Sequence, residues 1–174
     1  MKFTVVNAAQ GSGDWFTARL GRVTGSKAAD AIAMTGRGES QKRRDYKAQL
    51  LAERLTGQIA ENFVSKDMLW GTEQEAFARM AYESRNGVLV RETGFLQCDE
   101  HMIGSSLDGD VNGFECIIEI KAPKTSTHIK WMLDGGLPAD HEPQVLHNMW
   151  ISGAARSDII SYDPRLPEHL QLYV

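Results

Sequence analysis

The run Glu115-Cys-Ile-Ile-Glu-Ile-Lys121 limits the possible folds of this chain more than any other feature. Its β-branched residues favour a strand, and side chains two positions apart on a strand share a face. Glu119 and Lys121 are therefore predicted to point the same way, while Ile118 and Ile120 point into a core.

A turn-rich segment, Gly109-Asp-Val-Asn-Gly113, comes just before this strand and predicts a hairpin that brings Asp108 beside Glu119. Two neighbouring carboxylates repel unless a cation lies between them, and hard cations such as Mg²⁺ bind oxygen ligands. A metal-bound water is a nucleophile for phosphodiesters. Lys121 can position that water or stabilise negative charge on the phosphate oxygens. The trio therefore predicts phosphodiester hydrolysis.

The same residues also fit a simpler interpretation. Glu119 and Lys121 could form an ordinary ion pair on an exposed hairpin, an interaction that contributes roughly 0.2–1 kcal/mol. The pattern of this hairpin alone leaves both interpretations open.

The remaining periodicity predicts a mixed α/β fold, a central sheet flanked by helices, in a single domain over residues 1–174. Apolar residues at helical spacing are Tyr46, Leu50, Leu51 and Leu55 in one helix and Phe77, Met80 and Ala81 in another. Helices are predicted at 12–20, 25–34, 44–56, 70–87, 126–134 and 142–153, strands at 88–91, 95–98, 102–107, 115–121, 157–162 and 169–174, and a mobile basic loop at 35–45.

Charge is distributed unevenly along the chain. Residues 1–66 carry 11 Lys or Arg against 6 Asp or Glu, whereas residues 67–174 carry 8 against 17. A basic half suits phosphates and an acidic half suits cations, although chance clustering on solvated faces would give the same counts. No apolar run is long enough to span a membrane, and the N-terminal apolar run is too short for a secretory signal, so a cytoplasmic protein with two free thiols is expected.

Seven short motifs span nearly the whole chain. They are Trp15–Ser26 (with Arg19, Gly21 and Thr24), Leu51–Gly57, Trp70–Arg79, Ser106–Gly109, Glu119–Pro123, Gln144–Trp150 and Tyr162–Arg165. Each motif is weak alone, but in this order they resemble the lambda exonuclease and YqaJ-type viral recombinase family, a branch of the PD-(D/E)xK nucleases.

The resemblance implies a restriction-endonuclease-like core and a role for several residues of its catalytic centre. Asp108, Glu119 and the backbone carbonyl of Ile120 would bind metal, and Lys121 would be the catalytic lysine. Glu75 would approach the metal site from a helix, although an ion pair with Arg79 on a solvated face explains it equally simply. Gln144 would lie near the attacked phosphate, unless it is an ordinary polar residue of a first helical turn.

Phosphate contacts follow from the same resemblance. Arg19 and Ser26 match a terminal-phosphate pocket, and Lys66 matches a further phosphate contact. Each of these side chains could instead simply be solvated. A family basic residue falls at Thr127, where Lys124, His128 or Lys130 could substitute, and the family's Ser-Pro-Asp-Gly reads Ser-Leu-Asp-Gly here. Relatives continue with a C-terminal helical segment beyond the position of Val174.

The activity implied is that of a phage or prophage exonuclease in a bacterial host, digesting duplex DNA from its ends, 5′ to 3′, with two Mg²⁺ or Mn²⁺ ions. The resemblance also implies a ring-shaped homotrimer and a single-strand annealing protein as partner. Three alternatives stay open: a PD-(D/E)xK endonuclease or repair nuclease, a catalytically silent DNA-binding module, and a metal-binding protein with no nucleic-acid role. Closed circular DNA separates the first from an end-dependent enzyme.

Overall fold

Mixed sheets flanked by helices form the fold, as the sequence predicts. The computed structural model describes residues 1–59 and 65–174. These residues form two units, each assembled from separate stretches of chain. The first unit contains residues 1–59, Thr93–Leu107 and Asp140–Gly153, and the second contains 65–92, Asp108–Ala139 and Ala154–Val174. A single nuclease domain over residues 1–174 stays a prediction.

The elements follow one another closely along the chain. The strands are β1 (Phe3–Val6), β2 (Val23–Thr24), β3 (Met34–Thr35), β4 (Gly38–Glu39), β5 (Phe95–Cys98), β6 (Ile103–Ser106), β7 (Gly109–Val111), β8 (Cys116–Lys121), β9 (Arg156–Tyr162) and β10 (Leu172–Tyr173). The helices are α1 (Gly13–Arg19), α2 (Ala28–Ile32), α3 (Gln41–Thr56), α4 (Lys66–Asn86), α5 (Thr125–Asp134) and α6 (Glu142–Ser152), with 3₁₀ turns at Gly25–Lys27, Ala139–His141 and Glu168–Leu170.

The first unit is built on a sheet in the order β1-β5-β6-β2. The β1–β5 and β5–β6 pairs are antiparallel, and β2 runs parallel to β6. Phe95 and Leu96 of β5 are fully buried. Helices α1 and α6 pack against this sheet, so residues far apart in sequence share one core.

The second unit is built on a sheet in the order β10-β9-β8-β7. Its central pair, β8 and β9, is parallel, and the outer pairs are antiparallel. Helix α4 packs across β8, β9 and β10. Ala78 and Tyr82 of α4 meet Ile118, Ile120 and Ile160 of the sheet in one buried cluster, so the helix and the strand with the predicted chemistry share a core.

Serine caps set several helix starts earlier than apolar periodicity predicts. Ser40 Oγ accepts the Arg43 N–H at 3.2 Å, and Ser65 Oγ accepts the Met68 N–H at 3.1 Å. Capping satisfies N–H groups that a helix start leaves unpaired. Helix α3 therefore begins before position 44, and the mobile loop predicted for 35–45 is wrong: it is the end of a β3–β4 hairpin followed by a helical turn.

The predicted apolar faces of the helices are only partly right. The buried face of α4 consists of Gln74, Ala78 and Tyr82, at i, i+4 and i+8, whereas Phe77 and Met80 are exposed. In α3, Tyr46 and Leu50 are buried as predicted, and Leu51 and Leu55 are exposed. The polar Gln74 joins the buried face because its position on the helix, not its polarity, decides which way it points.

Three shorter predictions also need correction. The strand predicted at 88–91 is only an isolated bridge between Arg91 and Asp110, the helix predicted at 25–34 divides into a 3₁₀ turn and α2, and the strand predicted at 169–174 divides into a 3₁₀ turn and β10. Cys98 and Cys116 are free thiols, as predicted. Within the described ranges, no helix combines the length and apolar character that crossing a bilayer requires.

The core of the first unit can be tested with a matched pair of leucines. Leu96 is 0% exposed and Leu55 is 78% exposed. Leu96→Ala should lower the free energy of unfolding by about 2–5 kcal/mol, because it removes buried apolar contacts and leaves a cavity. Leu55→Ala should change it by about 0.5 kcal/mol or less. Urea denaturation followed by circular dichroism measures both, and equal losses would contradict the assigned core.

Candidate active site

The carboxylate of Asp108 is held against strand β8. Asp108 directly precedes β7, whose pairing with β8 places Gly109 opposite Ile118. Asp108 Oδ2 accepts the backbone N–H of Ile120 at 2.7 Å. Gly109 permits this close packing, because a Cβ there would lie 2.3 Å from the Val90 side chain. The hairpin therefore fixes one carboxylate at the backbone of β8.

The turn of this hairpin is anchored by Asp110, which is fully buried. Its carboxylate accepts hydrogen bonds from the Arg91 guanidinium at 2.9 Å and from the Phe114 N–H at 3.1 Å. Asn112 and Phe114 both have positive φ, at 55° and 71°, a conformation that costs free energy in residues other than glycine. The bond from the Phe114 N–H to Asp110 helps to hold the turn in this conformation.

Glu119 and Lys121 share one face of β8, as predicted. Lys121 Nζ donates to Glu119 Oε1 at 2.6 Å. Ile118 and Ile120 alternate with them and belong to the core cluster. Glu119 is only 3% exposed, so this is not the surface ion pair of the simpler interpretation. The structure brings together Asp108, Glu119 and Lys121.

Helix α4 adds a second carboxylate–cation pair to the same unit. Arg79 Nη2 donates to Glu75 Oε1 at 2.9 Å, and Arg79 Nη1 donates to Glu92 Oε1. The i, i+4 pairing of Glu75 with Arg79 is the alternative that the sequence offered, but it is not on a solvated face, since the Arg79 side chain is 12% exposed.

The negative charge of Asp108 acts on Glu75. Burial raises the pKa of Asp108, while the Ile120 N–H and the positive charges of Lys121 and Arg79 oppose that rise. Burial and the negative charge of Asp108 raise the pKa of Glu75 to about 6, against the lowering effect of Arg79. Carboxylates whose ionisation is disfavoured by burial and by a like charge form a site that favours an added positive charge.

The side chains present fit a hard divalent cation by their chemistry. Asp108, Glu119 and Glu75 supply carboxylate oxygens, the ligand type that Mg²⁺ and Mn²⁺ prefer. In the part of the chain that the structure describes, no three His, Cys, Asp or Glu side chains already converge as a metal cluster. Glu119 is instead turned to Lys121, and Glu75 to Arg79.

Arg19, predicted to contact phosphate, lies in the first unit and is well ordered by its neighbours. Its Nη1 donates to Ser106 Oγ at 2.7 Å, and the guanidinium stacks on the Trp15 ring at 4.1 Å. Burial lowers the pKa of Arg19, but an arginine stays charged in proteins. Arg19 is thus a half-buried, oriented cation and not a freely solvated surface arginine.

Ser26 and Gln144 of the same unit lie next to a close contact between Gly25 and helix α6. Ser26 is exposed in the 3₁₀ turn Gly25–Lys27. A Cβ on Gly25 would lie 2.2 Å from Asn148 Oδ1 and 3.4 Å from Gln144 Cγ. Because glycine is needed at this contact, the turn that carries Ser26 is pressed against α6, the helix that carries Gln144.

The remaining basic candidates lie in the second unit. Lys66 is the first residue of α4 and is exposed. Lys124 is also exposed, and its Nζ lies 3.7 Å from Asp67 Oδ2. His128 cannot substitute for a phosphate contact: it is fully buried, with Nδ1 beside Ser161 Oγ at 2.7 Å and Nε2 beside the Leu170 carbonyl at 2.9 Å. That correction follows from packing, which the sequence does not reveal.

Sequence reasoning missed Arg79 and Glu92 as parts of this site. The Glu75–Arg79 spacing signalled an ion pair, but not that it would lie near Asp108. Nothing in the sequence pattern connects Glu92 to Arg79, since 13 residues separate them and only the fold brings them together.

A hairpin that joins an aspartate to a Glu-x-Lys strand, on mixed sheets flanked by helices, defines the PD-(D/E)xK class of fold. The chain belongs to the family of the YqaJ-like viral recombinase domain, whose model matches residues 14–155. No functionally curated protein matches the chain significantly.

Solved structures agree with this assignment. An alkaline exonuclease from Laribacter hongkongensis, LHK-Exo, is 35% identical, with a TM-score of 0.83, over 93% of this chain and 79% of that chain. Its complex with dAMP matches equally well, over 80% of that chain. A phage-related exonuclease from Haemophilus somnus 129PT shares the fold at a TM-score of 0.64 and 14% identity, over 87% of this chain and 82% of that one.

One histidine near Gln144 gives the first unit a pH-dependent stability. His147 Nε2 donates to the Gly104 carbonyl at 3.0 Å, and burial lowers the pKa of His147 below its usual value of 6.5. Below pH 6.5 the unfolded chain gains a proton that the folded chain resists, so the free energy of unfolding should fall as the pH drops through that range. His147→Gln keeps a donor and should lose this component.

Urea denaturation at pH 7.5 and pH 5.5 measures the difference. The loss of stability on acidification should be larger for the wild type than for His147→Gln. Identical losses would show that His147 takes up its proton equally in both states.

Proposed function

We propose that this protein is a cation-dependent deoxyribonuclease that hydrolyses the phosphodiester bonds of duplex DNA from its ends, 5′ to 3′. The observation that carries the proposal is the Asp108 carboxylate, which accepts the backbone N–H of Ile120. On the same strand, Lys121 Nζ lies 2.6 Å from Glu119 Oε1. It is supported by membership of the YqaJ-like family and by 35% identity to an alkaline exonuclease.

The proposed cofactor is Mg²⁺ or Mn²⁺, as two ions. Asp108, Glu119, the Ile120 carbonyl and Glu75 would hold them. When bound, such an ion lowers the pKa of a coordinated water and stabilises negative charge on the phosphate. The fit rests on oxygen ligands and on burial and the negative charge of Asp108, which together raise the pKa of Glu75.

Lys121 is proposed as the catalytic lysine. Its ammonium lies beside the buried Glu119, in surroundings where a fixed positive charge is worth more than in water. It would stabilise the negative charge that develops on the attacked phosphate group. Gln144 is proposed to contact that phosphate through its side-chain amide.

Arg19, Ser26 and Lys66 are proposed as contacts to DNA phosphates. Arg19 is the strongest of these, because stacking on Trp15 and bonding to Ser106 hold its guanidinium in place. A pre-oriented guanidinium can bind a terminal phosphate with two parallel hydrogen bonds.

The proposed biological setting is supported by the same family membership. We propose a ring-shaped homotrimer around duplex DNA, a single-strand annealing protein as partner, and action in the cytoplasm of a bacterial host of phage or prophage origin. The excess of basic residues in 1–66 would suit the DNA-facing part of such an assembly.

The decisive experiment compares linear with covalently closed duplex DNA in Mg²⁺. The wild type should degrade linear DNA and leave the closed circle intact. Lys121→Ala should slow degradation by about 100-fold or more, as the loss of one charge-stabilising group does elsewhere. Arg85→Ala removes one positive charge from an exposed position on α4, outside the basic segment 1–66, and should act as the wild type does.

Each other outcome points elsewhere. Cutting of the closed circle would replace the exonuclease with an endonuclease. Failure to cut either DNA, with the fold intact by circular dichroism, would leave a silent DNA-binding module. Full activity of Lys121→Ala would remove that lysine from the mechanism.

The terminal-phosphate role of Arg19 predicts a dependence on the DNA end. Arg19→Ala should lower the degradation rate of 5′-phosphorylated duplex about tenfold or more. The reason is that hydrogen bonds between charged groups are stronger than those between neutral groups. The rate on 5′-hydroxyl duplex should change little. Arg22→Ala, which removes a guanidinium donating to the His101 carbonyl, is the control. Equal losses on both ends would contradict the phosphate contact.

A further inference from the structure

Arg79 interacts with three carboxylates of the second unit. It pairs with Glu75 on its own helix and with Glu92 in the segment beyond α4, and its positive charge lowers the pKa of Asp108. One guanidinium therefore acts on three carboxylates, two by contact and one through its field.

The environment makes that charge effective. The Arg79 side chain is 12% exposed. Charges interact more strongly when they are withdrawn from water. Arg79 thus compensates the negative charge of its carboxylate partners where water screens charges only weakly. Its own buried Nε–H has no acceptor among the described residues.

We propose that Arg79 is a positioning residue that stands in for the divalent cation: it holds the Glu75 carboxylate in place in the cation-free protein and sets how tightly the site takes up the metal. This inference rests on the proposed function. A cation that approaches Glu75 meets the positive charge of Arg79 and a carboxylate that is already paired. The guanidinium therefore weakens cation binding while it keeps Glu75 oriented.

Two substitutions should move cation affinity in opposite directions. Arg79→Gln removes the competing charge, so Mn²⁺ should bind about tenfold more tightly, while turnover at saturating Mn²⁺ should fall because Glu75 is no longer positioned. Glu92→Gln removes an exposed carboxylate that shares Arg79, so Arg79 should bind Glu75 more closely and Mn²⁺ should bind about twofold more weakly. Arg79→Lys keeps a charge and should restore affinity towards that of the wild type.

The control is Arg165→Gln. Arg165 also neutralises a buried carboxylate, that of Asp163, at 2.6 Å in the same unit. Its loss should lower the melting temperature, as the loss of Arg79 should, but leave Mn²⁺ affinity unchanged. A purely structural role for Arg79 would therefore make the two variants alike.

The test is calorimetric titration of the metal-free full chain with Mn²⁺, together with the kcat and KM for linear duplex DNA. Tighter binding with lower kcat for Arg79→Gln, and weaker binding for Glu92→Gln, is the expected result. An Mn²⁺ affinity of Arg79→Gln within twofold of that of the wild type would overturn this inference alone. A wild type that neither binds Mn²⁺ nor cuts DNA would overturn the proposed function and this inference with it.

Discussion

One hydrogen bond, from the Ile120 N–H to the Asp108 carboxylate, is the interaction on which the candidate site depends. It fixes Asp108 near the end of β8, the strand that carries Glu119 and Lys121 on one face and the core residues Ile118 and Ile120 on the other. The buried Asp110 holds the turn next to it. The same short hairpin therefore supplies both the stability of the second unit and the position of its reactive groups.

The candidate site places the carboxylates of Asp108 and Glu75 in one unit, and neighbouring positive charges offset the free-energy cost of burying them. Burial raises the pKa of Asp108, and burial together with the negative charge of Asp108 raises the pKa of Glu75. The positive charges of Lys121 and Arg79 oppose these rises. Under the proposed function, a bound divalent ion would add to the compensation that these side chains supply, so the stability and the activity of the site would depend on the same charges.

The arrangement of side chains on this hairpin could be predicted from the sequence because it depends on local rules. Alternation along β8 and the turn residues after Asp108 fix which side chains meet. What could not be predicted depends on tertiary packing: the face that α4 buries, the burial of His128 and the pairing of Arg79 with Glu92. Helix starts were missed where a serine cap, and not an apolar residue, sets the boundary.

The interleaving of the two units has a consequence for synthesis on the ribosome. Strand β1 is made long before its partner β5 at Phe95–Cys98, and α6 of the same unit is made only after α4, β8 and α5 of the other. Neither unit can be completed from one contiguous stretch, so a nascent chain leaves the surfaces that await later elements exposed during elongation. A cut within residues 108–139 would separate strands or helices that each unit needs.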